Sequence, residues 1–167
     1  MANTYTLITS ATAGSGGVGS FNFTSIPNTY TDLMLFTSLR CTNTSSNAVY
    51  ITFNGSSSSY NLLYIVGTGS VTASGIGSSI IARMVDTNAT ANTFSNSSTY
   101  VHNYAGSNYK SVSTESVNEN NGASALMNLD AELWSNTAAI NQITITPASG
   151  GDIAQYSTAY LYGISNS

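Results

Sequence analysis

Few groups in this chain can do acid–base or metal chemistry. The carboxylates are Asp32, Asp86, Glu115, Glu119, Asp130, Glu132 and Asp152, beside one histidine, His102, and one cysteine, Cys41. Asn121-Gly122 favours the positive φ pair of a type I′ turn, so the runs on either side read as a hairpin with Asn120 opposite Ala123. That register sets Glu115 against Asn128, Ser113 against Asp130 and Ser111 against Glu132. Glu115, Asp130 and Glu132 then share the outward face. Asp130 and Glu132 lie about 7 Å apart along the strand, two rises of ~3.4 Å. This spacing is compatible with the carboxyl pair of an inverting glycosidase, and an all-oxygen cluster also suits Ca²⁺. The reading adopted is an acidic patch facing solvent or another subunit. Glu119 falls about 13 Å from Glu115 on a straight strand, too far to cooperate.

His102 sits in Tyr100-Val101-His102-Asn103-Tyr104, and a lone histidine on a strand reads as a structural or surface residue. Serines abound, but no Gly-x-Ser-x-Gly elbow accompanies them. The glycine-rich stretches 14–19 and 67–77 neither open a helix nor carry Gly-Lys-Ser/Thr, so phosphate cradling is not indicated. Cys41, being alone, makes neither an intrachain disulfide nor a cysteine-based zinc site, and reads as a small buried hydrophobe. The expectation is a protein that is not an enzyme, with no catalytic residues, cofactor or metal. Trp134, at a strand end beside Ser135-Asn136-Thr137, could stack on a sugar ring. Packing in the core or between subunits is the preferred role.

Only 6% of the 167 residues are charged, against roughly a quarter in an ordinary soluble domain. Ser, Thr, Asn and Gly make up about half of the chain. The cations are Arg40, Arg83 and Lys110 and the net charge is −4, which argues against nucleic acid and against anionic membrane surfaces as partners. No stretch approaches the ~18 apolar residues of a membrane span. Residues 1–12 lack the basic and apolar regions of a signal peptide. The Asn-x-Ser/Thr triplets at Asn22, Asn43, Asn54, Asn88 and Asn96 are what chance produces in such a composition.

The elements that must position these groups are strands. β-branched and aromatic runs alternate with Gly/Ser/Asn clusters throughout, and no run of ten residues keeps a helical stripe. The pattern predicts an all-β fold, an antiparallel β-sandwich of about ten strands, in a single domain over 1–167 with a flexible N-terminal segment 1–17. The strands fall near 5–12, 18–24, 32–41, 48–53, 60–66, 80–85, 94–104, 110–117, 125–134, 140–146 and 155–164, with Pro27 and Pro147 outside them. Gly67–Gly77 reads as a flexible connection, and Asn54-Gly55 followed by four serines as a long turn. Along 125–134, Met127, Leu129, Ala131 and Leu133 form the core face, and Asn128, Asp130 and Glu132 the outer one. Along 32–41, Leu33, Leu35 and Leu39 share one face while Met34 and Phe36 make the other apolar too. Such a strand is central in the sandwich or covered by another subunit.

Several segments carry a resemblance: 23–33 (FTSIPNTYTDL), 51–56 (ITFNGS), 108–120 (NYKSVSTESVNEN), 133–147 (LWSNTAAINQITITP) and 155–164 (QYSTAYLYGI). Together they resemble a group of tailed-bacteriophage virion proteins with a β-sandwich of jelly-roll type. The resemblance implies a virion structural protein, a capsid decoration (cement) protein made in the host cytoplasm and bound to the capsid surface. Its partners would be the major capsid protein and copies of itself, as a homotrimer. The alternative is a tail-fibre or receptor-binding domain for host carbohydrate. The interface is expected at Met34 and Phe36 and on loops carrying Tyr60, Tyr64, Trp134 and Tyr156.

Overall fold

The computed structural model describes residues 4–44, 47–119, 121 and 125–165. Within them the chain is all-β. Its strands are β1 (Thr4–Thr12), β2 (Phe21–Phe23), β3 (Asp32–Ser38), β4 (Ala48–Phe53), β5 (Tyr60–Gly67), β6 (Thr72–Gly77), β7 (Ile80–Arg83), β8 (Asn96–Val101), β9 (Lys110–Val117), β10 (Met127–Trp134), β11 (Ile143–Pro147) and β12 (Thr158–Ser165). All pair antiparallel in two sheets, one of eight strands in the order β1-β12-β3-β8-β9-β10-β5-β6 and one of four in the order β2-β11-β4-β7. The sheets pack face to face as a β-sandwich. Setting aside the hairpins β5–β6 and β9–β10, the other eight strands divide evenly, β1-β12-β3-β8 against β2-β11-β4-β7. The two hairpins pair with each other through β10 and β5 and widen the large sheet into a four-stranded wing.

The core lies where the small sheet covers the large one. Leu33, Leu35 and Leu161 of the large sheet meet Ile51, Phe53, Ile80, Ile143 and Ile145 of the small one, all buried. Trp134 closes one end, stacked on Tyr60 at 6.2 Å and edge-on to Phe53 at 5.5 Å. Such aromatic contacts add about 0.5–1.5 kcal/mol each beyond area burial.

Three expectations need correction. Within the segment 1–17, residues 4–12 are not a loose arm, because β1 pairs with β12 from Thr4 to Thr12 across one register shift. Gly67–Gly77 contains β6, a strand whose glycines serve packing. A Cβ at Gly75 would lie 2.5 Å from the Tyr64 hydroxyl, and one at Gly77 3.1 Å from Leu62, so large side chains of β5 lie across both positions. Pro147 is the last residue of β11, past the point where β2 has ended, a position that tolerates a missing N–H. The connection at Asn54-Gly55 is long, running over residues 54–59 between β4 and β5, and it opens with a tight turn. Both residues have positive φ, 52° and 69°, and Ser56 N–H donates to Phe53 C=O at 2.9 Å. The Asn54 side chain ties the turn down, donating to Ala139 C=O and accepting from the N–H groups of Asn141 and Gln142.

Trp134 sets the first test. Trp134→Ala is expected to cost about 3–5 kcal/mol in urea unfolding. Trp134→Phe, which removes the buried indole N–H, unpartnered among the described residues, is expected to cost less than half of that. Equal losses for the two would show that stacking does not carry the contribution.

Candidate interaction surface

The 110–134 hairpin decides where the candidate residues lie. Its paired register runs from Val117↔Met127 to Lys110↔Trp134, and Asn118 N–H donates to Leu126 C=O. The connection is therefore longer than two residues. Asn120, Gly122 and Ala123 lie outside the described residues. Relative to the two-residue turn, the register moves by one, and a one-residue slip flips every side chain to the other face. Glu115, Ser113 and Ser111 point outward as expected, but β10 is reversed. Asn128, Asp130 and Glu132 face the sandwich interior, while Met127, Leu129 and Ala131 face out. The acidic cluster does not exist: Glu115 stands on the opposite side of the sheet from Asp130 and Glu132. Among the described residues no three Asp, Glu, His or Cys side chains form a metal-binding group.

The buried carboxylates have structural partners. β7 is the outer strand of the small sheet, and the N–H groups of Ile81 and Arg83 point away from β4. Ile81 N–H donates to Glu132 Oε1 at 2.8 Å, and Arg83 N–H to Ser116 Oγ at 3.2 Å. Thr114 Oγ1 bonds Glu132 Oε2 at 2.8 Å and continues to Thr99 Oγ1 at 3.1 Å. Arg83 Nε donates to Asn128 Oδ1 at 2.9 Å, and Asn128 Nδ2 to Asp130 Oδ1 at 3.3 Å. Asp130 Oδ2 has no hydrogen-bond partner among the described residues. Burial pushes the Glu132 carboxyl up to about 8, against the lowering pull of Ile81 N–H and Thr114. Burial also raises Asp130, with the Asn128 hydrogen bond and Arg83 pulling the other way.

The outward face of the large sheet is the most unusual surface. Following the register, one row crosses all eight strands: Leu7, Tyr162, Met34, Tyr100, Ser113, Ala131, Leu63 and Ile76. The next carries Tyr160, Phe36, Ser98, Glu115, Leu129, Ile65 and Ser74. The β1–β12–β3 end is aromatic, with Tyr162 edge-on to Tyr5 at 6.2 Å and to Phe36 at 5.9 Å. The wing is aliphatic: Ile76 is 81% exposed, and Leu63, Ile65, Met127 and Leu129 are each more than half exposed. Isolated exposed aliphatics are ordinary, whereas a contiguous patch marks a contact surface.

Of the residues expected at an interface, Met34 and Phe36 do lie on this outer face, half-buried and 37% exposed. Tyr156 is exposed in the loop before β12. Tyr64 points to the inner side, level with Asp130, and is half-buried. Tyr60 and Trp134 are corrected: both are core side chains, 6% and 1% exposed. The Tyr60 hydroxyl accepts from Phe53 N–H and donates to Ser56 C=O. Trp134 therefore presents no face to a sugar. Leu63, Ile65 and Ile76 were not singled out. The alternation in 60–66 marks two faces but does not say which is covered.

A second cluster was missed. Asp32 is buried on the outer side of β3, where its carboxylate accepts from Tyr100 Oη at 2.7 Å, Asn103 N–H at 2.7 Å and His102 Nδ1 at 3.0 Å. Burial and the Asp32 contact push the Tyr100 phenol up to about 12, so it remains a donor. The Asp–His pair orients an exposed imidazole with Nε2 outward, the positioning half of a triad. No hydroxyl among the described residues is bonded to that Nε2.

The cations are all engaged. Arg40 donates to the carbonyls of Ala89, Thr90 and Thr93, Arg83 to Asn128, and buried Lys110 to the carbonyls of Gly106 and Asn108. Burial pushes the Lys110 amine down. In comparisons with known proteins, the chain matches no family model, no curated protein and no solved structure.

The raised Glu132 value fixes the sign of a pH effect. The fold favours the neutral acid, so its contribution is fully present below about 4.5 and lost as pH rises through about 8. Stability to urea is expected to fall over that window by on the order of 3 kcal/mol. In Glu132→Gln, which keeps an acceptor for Ile81 N–H, that slope should largely disappear. A wild-type profile that is flat or rises from pH 4.5 to 8 would show that Glu132 is ionised in the fold.

Proposed function

We propose that this protein is a non-enzymatic virion structural protein, a capsid decoration (cement) protein that binds the major capsid protein lattice. The observation carrying the reading is the broad outer face of the eight-stranded sheet, aromatic at its β1–β12–β3 end and aliphatic over β10 and β5, with serines of β8 and β9 between them and Glu115 as the one carboxylate among its exposed strand residues. No lysine or arginine offers an uncommitted charge, which disfavours nucleic acid and anionic lipid and favours a neutral protein surface. The even division β1-β12-β3-β8 against β2-β11-β4-β7 supports the jelly-roll reading, with the wing as an addition. The sequence resemblance to phage virion proteins points the same way.

Docking to the capsid is assigned to the aromatic β12–β1 end, Tyr5, Tyr160 and Tyr162. Such rings combine large contact area with hydroxyls that bond neutral groups. Recombinant protein is expected to co-sediment with empty capsids, with affinity changing less than about threefold between ~50 and ~500 mM salt, since few charges take part. Tyr160→Lys is expected to weaken binding at least about tenfold. Absence of binding, or a steep loss with salt, would refute the reading. Labelling the protein in virions separates many copies on the head from a few on the tail.

A further inference from the structure

The aliphatic wing has the shape of a surface that fits itself. Two shallow depressions lie on its outer side. One, of about 520 Å³, is lined by Leu63, Ile65, Ile76 and Leu129. The other, of about 460 Å³, is lined by Ile65, Val117, Met127 and Leu129, with Glu115 and Thr72 also on its wall. Ile65 and Leu129 are direct cross-strand partners and line both, so they form a ridge between two hollows. A ridge flanked by two hollows is complemented by the same ridge turned through a twofold axis, each seated in a hollow of the other.

Charge and area favour the same occupant. Among the outward residues of β9, β10, β5 and β6 the one charge is Glu115. A basic partner would find a single carboxylate to recognise, and an acidic partner no free cation. A copy of this chain brings the same aliphatic surface, with its own Glu115 as the one charge. The wing projects about 19 Å across four strands at ~4.8 Å, and about 27 Å along eight residues at ~3.4 Å, or roughly 500 Å². A standard interface buries about 800 Å² per partner. The contact therefore needs about two more strands, which carries it over β8 and β3 to Tyr100 and Met34 and leaves the β12–β1 end uncovered.

We propose that two copies of this chain pack their outer sheet faces together around a twofold axis that runs between the Ile65–Leu129 ridge and an adjoining hollow. The inference rests on reading this face as a protein-docking surface, as in the proposed function, and it names the occupant of the wing. A closed trimer needs two unlike patches on each copy, whereas one self-complementary patch makes a pair.

The test is sedimentation velocity of the full chain over a concentration series. The wild type is expected to be a dimer at micromolar concentration. Ile65→Lys and Leu129→Lys should each weaken self-association at least about 100-fold, because each buries an unpaired ammonium in the contact. Their circular dichroism and thermal midpoint should stay those of the wild-type monomer, since both positions are exposed. Tyr156→Lys, in the loop before β12, should leave the dimer intact. A wild-type chain that stays monomeric to ~100 µM overturns the proposal, as does a trimer, or a dimer that survives both lysine variants. Capsid co-sedimentation of the same variants separates the two readings. Capsid binding by monomeric variants leaves the decoration role standing, and a dimer that ignores capsids removes that role while keeping the pair.

Discussion

The open edge of the small sheet sets the terms for the rest of the structure. β7 has strand neighbours on one side only, which leaves the N–H groups of the partly buried Ile81 and Arg83 without a strand partner. Each such group left unsatisfied would cost about 1–3 kcal/mol. Glu132 and Ser116 supply the acceptors, and Thr114, Thr99, Asn128 and Arg83 complete the polar seam around them. Side chains on a strand alternate, so turning Asn128, Asp130 and Glu132 inward turns Met127, Leu129 and Ala131 outward. Exposing an aliphatic side chain forgoes about 1.5–3 kcal/mol each. In an isolated chain, several such exposures outweigh the two satisfied N–H groups. Covering the outer face with protein would recover that loss, which connects the interior seam to the surface it leaves behind.

Charge placement reinforces the same surface. Low charge in the composition becomes lower still at the surface, because all three cations are committed to internal partners and Asp32, Asp130 and Glu132 are buried. The remaining four carboxylates, Asp86, Glu115, Glu119 and Asp152, are what solvent and partners meet. Lys110 illustrates the cause. A buried ammonium must be bonded, and the carbonyls of Gly106 and Asn108 in the β8–β9 connection provide for it.

Much of the fold is legible in the residues. Runs of β-branched and aromatic side chains mark 48–53 and 110–117 as strands, with the bounds the structure has. The two apolar faces of 32–38 are real, with Leu33 and Leu35 inside and Met34 and Phe36 outside. β6 escaped because Thr-Ala-Ser-Gly-Ile-Gly lacks strand-forming bulk of its own. It is flat so that Tyr64 and Leu62 can lie across it, a contact no local pattern reveals. The Asp32–His102–Tyr100 cluster escaped for a similar reason, since Asp32 lies 68 residues or more before Tyr100 and His102 in the chain.

Composition and period-two alternation alone determine an all-β chain, a nearly uncharged exterior and which side chains of each strand belong together. They do not determine which of the two sets faces inward. Alternation is symmetric under a slip of one residue, and the sign is set elsewhere: by the length of the β9–β10 connection, and by Ile81, a hydrogen-bond donor 51 residues from Glu132. The tertiary structure therefore decided that the carboxylates are buried structural acceptors, that Trp134 is a core side chain, and that the aliphatic face of β10 and β5 is the exposed surface.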